Sequence, residues 1–135
     1  MYGILLTVTK LKFKLKVIKR LFMLKKENRL TKRKEFGYIY KNGKYSYNNY
    51  LTLMYVSTKL KKPRIGFSIS KKTGKAWLRN KVKRQLRDIV RNLTETLNAN
   101  YNYVFVTKPE ITTLNYEQIK DAVVNVLEKA NLTKW

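Results

Sequence analysis

The sequence contains no cysteine and no histidine. The first absence excludes disulfides and thiolate chemistry. The second removes the imidazole general base and the commonest zinc ligand. Acid is scarce too: Glu27, Glu35, Asp88, Glu95, Glu110, Glu117, Asp121 and Glu128 are the only carboxylate side chains, against 31 lysines and arginines. None of them forms a DxD-type cluster, so two-metal hydrolysis by protein ligands alone is not expected. No apolar run is long enough to span a bilayer. There are two prolines and five glycines, and no Pro/Gly-rich linker. The 135 residues suit one domain with a modest core.

What the chain has in excess is positive charge, a net +23. Such imbalance says little about fold and much about partners, and a polyanion is the default. Nucleic acid is favoured over a membrane surface. The charge is uneven: residues 1–23 carry +6, residues 24–92 carry +18 and residues 93–135 carry −1. The functional face is therefore expected before residue 93, with the C-terminal third as a neutral scaffold. The composition describes a protein that binds rather than one that breaks bonds itself.

Residues 1–22, MYGILLTVTKLKFKLKVIKRLF, alternate basic and apolar side chains from Lys10 to Lys16, a strand-like period. As a signal peptide the stretch fails, because the apolar run Ile4–Val8 is too short and no small-residue cleavage site follows. It is expected to be a basic N-terminal extension, disordered or ahead of a true start at Met23, with a basic arm on nucleic acid as the alternative. The folded domain is expected over 23–135.

From Leu24 the pattern becomes regular. Thr31 is a candidate N-cap for a short helix ending at Gly43, where positive φ is expected. Phe36, Ile39 and Tyr40 share one face of it. Tyr45–Asn48 and Tyr50–Val56 read as strands, the latter rich in aromatic and β-branched residues. Arg64–Ser70 alternates, with Ile65, Phe67 and Ile69 on one face. A basic turn, KKTGK, precedes a helix from Ala76 to about Leu97. Tyr101–Thr107 is a further strand. Asn115 with Gln118 resembles a capping box, and Ile119, Ala122, Val123, Val126, Leu127 and Ala130 form the apolar face of a last helix. The order αβββαβα predicts an α+β fold: a single-domain sandwich with helices packed on a mostly antiparallel sheet.

Three groups of residues carry functional signals. The strongest is SISKKTGKAWLRNKVKRQLR, Ser68 to Arg87. At about 100° per residue, Val82, Leu86, Ile89, Val90 and Leu93 fall in one buried stripe. Arg79, Lys83, Arg87 and Arg91 form an i, i+4 row along its edge, with Asn80 and Arg84 just beyond. Like charges so spaced cost a few tenths of a kcal/mol per pair, which a merely solvated helix would avoid. Arginine forks and lysine ammonium groups bind phosphate, as do amides at a helix N-terminus.

The second group is aromatic: Phe36, Tyr38, Tyr40, Tyr45, Tyr47, Tyr50 and Tyr55 fall within twenty residues. Phe36 and Tyr40 are open to two readings, core packing or a stacking surface for single-stranded nucleotides. Each stacked base would contribute about 1–3 kcal/mol with little sequence demand. The third is Lys25, Lys26, Arg29, Lys32, Arg33 and Lys34, either a solvated helix start or a further contact, with Arg29 the best candidate. Lys59, Lys61 and Lys62 are expected to supply general attraction.

The Ser68–Arg87 block resembles the protein subunit family of bacterial ribonuclease P. That family shows a Ser-Lys-Lys-x-Gly turn followed by Arg-Asn-Arg-x-x-Lys-Arg-x-x-x-Arg. Here Lys71, Lys72 and Gly74 match the turn, and Arg79 and Asn80 open the helix motif. Lys81 replaces the third arginine, keeping its charge but losing the fork. Lys83, Arg84 and Arg87 follow with gaps one residue shorter. The likeness extends over residues 24–130 through Asn28-Arg29-Leu30, Phe36 and Tyr40, Lys108-Pro109, and Tyr116-Glu117. Residues 1–22 have no counterpart in it.

The resemblance implies a left-handed βαβ crossover, rare under the general handedness rule. It implies an RNA subunit that holds the catalytic Mg²⁺ and removes the 5′ leader of precursor tRNA. The protein, an accessory subunit of this endoribonuclease with no catalytic residue and no metal site of its own, would bind that RNA through Lys71, Lys72, Lys75, Arg79, Asn80, Lys81, Lys83, Arg84, Arg87 and Arg91. Arg29, Phe36, Tyr40 and Met54 would line a groove for the leader. Met54 falls where an aromatic is common, and Tyr55 would point to the opposite sheet face. The partners implied are ribonuclease P RNA and precursor tRNA, with no organic cofactor, no membrane and no stable protein partner, in the cytoplasm. The alternative is a ribosomal protein or RNA chaperone of similar small α+β fold. A protein-only nuclease would require the scattered carboxylates to converge.

Overall fold

The computed structural model describes residues 28–59 and 62–133. Within them the order is α1 (Arg33–Asn42), β1 (Lys44–Tyr47), β2 (Leu51–Ser57), β3 (Arg64–Ser68), α2 (Ala76–Leu93), β4 (Tyr101–Thr107) and α3 (Tyr116–Lys129). The predicted αβββαβα succession is the one observed. The basic extension 1–22, together with Lys25, Lys26 and Lys61, lies outside the described residues.

The four strands form one mixed sheet in the order β1-β2-β4-β3. β1 with β2 and β2 with β4 are antiparallel, while β3 and β4 are parallel and joined through α2. The period of two then sorts the side chains. Leu51, Leu53, Ile65, Tyr103 and Phe105 bury one sheet face against Val82, Leu86, Ile89 and Val90 of α2 and Ile119, Val123, Val126 and Leu127 of α3. Val104 with Leu30 and Ile39 forms a smaller core on the other face, edged by Phe36, Met54, Val56 and Val106. The sheet is thus covered by α2 and α3 on one side and by the shorter α1 on the other.

Several local expectations need correction. Thr31 does not cap α1; the N-cap is Lys32, with no side-chain hydrogen bond. Gly43 has φ −76° rather than a positive value. It is glycine for closeness: a Cβ there would lie 2.5 Å from the Ile39 carbonyl oxygen and 3.0 Å from that of Tyr55. The basic helix ends at Leu93, four residues early, and a 3₁₀ turn over Thr94–Thr96 completes it. There the Thr94 hydroxyl bonds back to the Val90 carbonyl, a local alternative to continued helix. The Asn115–Gln118 capping box forms with both reciprocal bonds.

The neutral C-terminal third braces the β1–β2 hairpin. The Ser46 hydroxyl donates to the Val126 carbonyl at 2.9 Å, and the Asn48 amide donates to that of Ala122 at 3.0 Å. The Asn48 side-chain oxygen also accepts from the amides of Tyr50 and Leu51, closing the turn. Lys129 reaches the Tyr47 carbonyl at 3.1 Å. The scaffold role read from charge is therefore a set of particular bonds.

Candidate nucleic-acid interface

Asn28, Arg29 and Leu30 lie along the outer edge of β3 and divide their work. Asn28 is buried and donates to the Pro63 carbonyl at 2.7 Å. Leu30 is buried in the smaller core, and its amide donates to the Ile65 carbonyl at 2.8 Å. Arg29 bridges to Ile65 in parallel fashion. Its neighbours on either side are anchored, so it is held at the rim of a cavity of about 280 Å³ lined also by Phe36, Gly66, Phe67, Lys83 and Arg87.

Gly66 makes that cavity possible. The Phe36 ring lies directly over it, and a Cβ at this position would fall 2.7 Å from Phe36 Cε1 and 3.2 Å from Leu30 Cβ. Gly66 lies on the strand face opposite Ile65 and Phe67, as the alternation predicts, and that face is buried here beneath a ring from α1. Phe36 is half-buried and also packs against the smaller core, so packing and cavity lining coexist in one residue.

Two adjoining concavities continue the groove between β3 and α2. One is lined by Asn80, Lys83, Arg84 and Arg87, the other by Phe67, Ser68, Ile69, Arg79, Asn80 and Lys83. Lys83 belongs to all three. The basic residues of α2 occupy two levels: Arg79, Lys83, Arg87 and Arg91 are half-buried, while Lys81 and Arg84, with the neutral Asn80, are exposed on an outer ridge from which Asn80 and Arg84 also line the groove.

Burial, and then the charge of Arg29, push the Arg87 pKa below its ordinary value. A guanidinium remains charged under such pressure, so the groove holds positive charge at a cost that an entering anion would relieve. The nearby acids are engaged elsewhere. Glu35 is held by Arg64 at 2.9 Å. Asp88 accepts from the Tyr116 hydroxyl at 2.5 Å and faces Arg91 at 3.6 Å. Among the described residues no carboxylate pairs with Lys83, Arg84 or Arg87. No three His, Cys, Asp or Glu side chains among them come together to hold a metal ion.

Before α2, Lys71 and Lys72 are exposed on a 3₁₀ turn over Lys71–Thr73. The turn ends at Gly74 with φ 136°, where a side chain would be strained. Lys75 then takes the N-cap position without a side-chain bond. The strand–turn–helix reading is therefore observed, with the glycine required by its backbone.

The opposite sheet face carries tyrosine. Tyr45 pairs with Met54 and Tyr47 with Thr52, placing these side chains on the face that α1 partly covers. Tyr45 is 67% exposed and Tyr47 59%, with ring centres 6.2 Å apart. Tyr40 is 44% exposed, and its ring centre lies 6.4 Å from that of Phe36. Tyr55 points the other way, as expected, against Tyr101 at 5.8 Å. The structure gathers Arg29 and Phe36 with Lys83 and Arg87, whereas Tyr40 and Met54 lie outside that cavity. Tyr45 and Tyr47 were counted in the aromatic group but not among the groove residues. Extending the period of two from β2 to its neighbour would have found them. Trp77, 64% exposed on α2, also went unassigned; its place off the apolar stripe was readable on the helical wheel.

Fold and charge together define a small basic α+β protein with a cationic groove on one side and a tyrosine-rich face on the other. The family model for ribonuclease P matches residues 24–131. A ribonuclease P protein component from Clostridium botulinum (strain Langeland) is 38% identical over 109 residues, covering 79% of this chain and 97% of that one. One from Caldanaerobacter subterraneus is 36% identical over 110 residues, covering 82% and 95%. Among solved structures, a Staphylococcus aureus RNase P protein mutant with defective mRNA degradation activity matches with TM-score 0.76 and 28% identity over 79% of this chain and 91% of its own. The RNase P protein from Thermotoga maritima matches with TM-score 0.70 and 26% identity over 75% and 96%. The chain belongs to the ribonuclease P protein component family.

Proposed function

We propose that this chain is the protein subunit of a bacterial ribonuclease P that removes the 5′ leader of precursor tRNA. The carrying observation is the groove in which Arg29, Lys83 and Arg87 converge, on a fold of this family, with no carboxylate pairing to Lys83 or Arg87 among the described residues. In this reading the groove, the Lys71–Lys75 turn and the outer ridge neutralise phosphates of the RNA subunit. Arg29, Phe36, Tyr40 and Met54 face the leader, joined by Tyr45 and Tyr47. Stacking on tyrosine suits a leader whose sequence varies. Catalytic Mg²⁺ belongs to the RNA subunit, and the protein lowers the Mg²⁺ needed for assembly while favouring precursor over mature tRNA. The complex acts in the cytoplasm.

The test is cleavage of a precursor tRNA by a bacterial ribonuclease P RNA at low Mg²⁺, with and without the full chain. Restored cleavage at the mature 5′ end supports the reading, and no effect on a cognate RNA refutes it. Equal affinity for ribosomal RNA, with no preference for precursor over mature tRNA, would point instead to a ribosomal or chaperone role. Alanine at each carboxylate should leave cleavage intact, which would eliminate a protein-only nuclease.

A further inference from the structure

Among the described residues Trp77 takes no part in the hydrophobic packing. It lies in the first turn of α2, about 160° around the helix from the middle of the buried stripe. It belongs to neither hydrophobic cluster, and among the described residues its ring pairs with no other aromatic. An indole is among the largest apolar groups a protein can hide, yet 64% of this residue is exposed. Its surroundings on the outer ridge are Asn80, Lys81 and Arg84, all exposed, and the first turn carries no acid.

We infer that Trp77 stacks on an exposed nucleobase of ribonuclease P RNA, one bulged from or ending a helix. The inference rests on the functional reading above and adds a base contact to a surface otherwise suited only to phosphate. The charge of the ridge selects a polyanion, and a net charge of +23 opposes docking of a second copy. Phosphate alone would have no use for an indole, which offers a broad π-face and a single N–H donor. A base inside a duplex has no free face, so the partner base is bulged or terminal. The RNA subunit is favoured over the leader because Trp77 stands on the helix layer opposite the tyrosine face. Lys81 and Arg84 would hold the flanking phosphates.

The full chain contains two tryptophans, so Trp135→Phe leaves Trp77 as the sole indole. Titration of this variant with ribonuclease P RNA should quench Trp77 emission along the same curve that filter retention gives for complex formation. Trp77→Ala should weaken binding to the RNA subunit by about tenfold, and Trp77→Phe should restore most of it, as expected for stacking. Binding with unchanged emission, or equal affinity of the alanine variant, would overturn the inference and leave the functional reading standing. So would an effect confined to precursor tRNA, or one on self-association measured by sedimentation. If the protein forms no complex with the RNA, the functional reading fails and the inference falls with it.

Discussion

Gly66→Ala tests whether α1 is positioned by a ring pressed on bare backbone. The added methyl would meet Phe36 Cε1 at 2.7 Å and Leu30 Cβ at 3.2 Å. Ordinary carbon contacts lie near 3.5–4.0 Å, so the ring must retreat by about 1 Å. Overpacking of this kind costs roughly 1–3 kcal/mol. Against it, alanine reduces the freedom of the unfolded chain, a gain of about 0.4–1 kcal/mol. The φ of Gly66 is not positive, so no backbone strain enters. Gly66→Ala should therefore destabilise the wild type by up to about 2.6 kcal/mol, with a midpoint of about 1.3 kcal/mol. In a Phe36→Ala background the ring is gone and only the milder Leu30 Cβ contact at 3.2 Å remains, so with the unfolded-state gain the same substitution should become neutral or slightly stabilising. Urea unfolding of the four proteins closes the double-mutant cycle. A coupling of at least about 1 kcal/mol with that reversal supports the geometry. Equal cost of Gly66→Ala in both backgrounds would refute it. The same ring lines the cavity beside Arg29, so Gly66→Ala should also weaken leader binding more than it weakens binding to the RNA subunit.

Arg87→Gln should leave the free protein as stable as before or slightly more stable, since burial and Arg29 both disfavour its charge. It should nevertheless weaken RNA binding and lower the salt slope by about one, measured by filter binding across salt concentrations. Tyr47→Ala should cost about 1–3 kcal/mol in precursor-tRNA affinity and little in affinity for the RNA subunit; equal losses would remove the tyrosine face from leader binding. Burial, followed by the bond to Asp88, pushes the Tyr116 phenol up to about 12. Between pH 10 and 12 the unfolded chain releases that proton while the folded chain keeps it, so stability falls as pH rises through this window. Tyr116→Phe lacks this loss, and its stability relative to wild type should rise from pH 10 to 12 in parallel denaturant titrations.

Periodicity revealed the α+β order and the basic helix because both are written locally. Val82, Leu86, Ile89 and Val90 repeat at helical spacing whatever they pack against. Gly66 and Gly43 were not readable in the same way, because each is glycine for a neighbour distant in sequence: Phe36 over one, the Tyr55 carbonyl beside the other. The division within Asn28-Arg29-Leu30 was hidden for a related reason. Only the pairing of this segment with the β3 edge shows that the flanking residues are anchors and that Arg29 is the residue left facing the groove. Charge counting pointed to the residues before 93 but could not separate their two surfaces. The basic groove and the tyrosine face come apart because β2 and β4 present alternate residues to opposite sides, with α2 and α3 on one and α1 on the other. A strand order of β1-β2-β4-β3 puts Tyr45 and Tyr47 at one edge of the sheet and Arg29 at the other. An RNA strand following the α1 face from the cationic rim to the tyrosines must therefore cross the sheet. On the proposed function, phosphates would be neutralised at the rim and bases stacked at the tyrosines, which would let one small domain hold a structured RNA and a single strand at once.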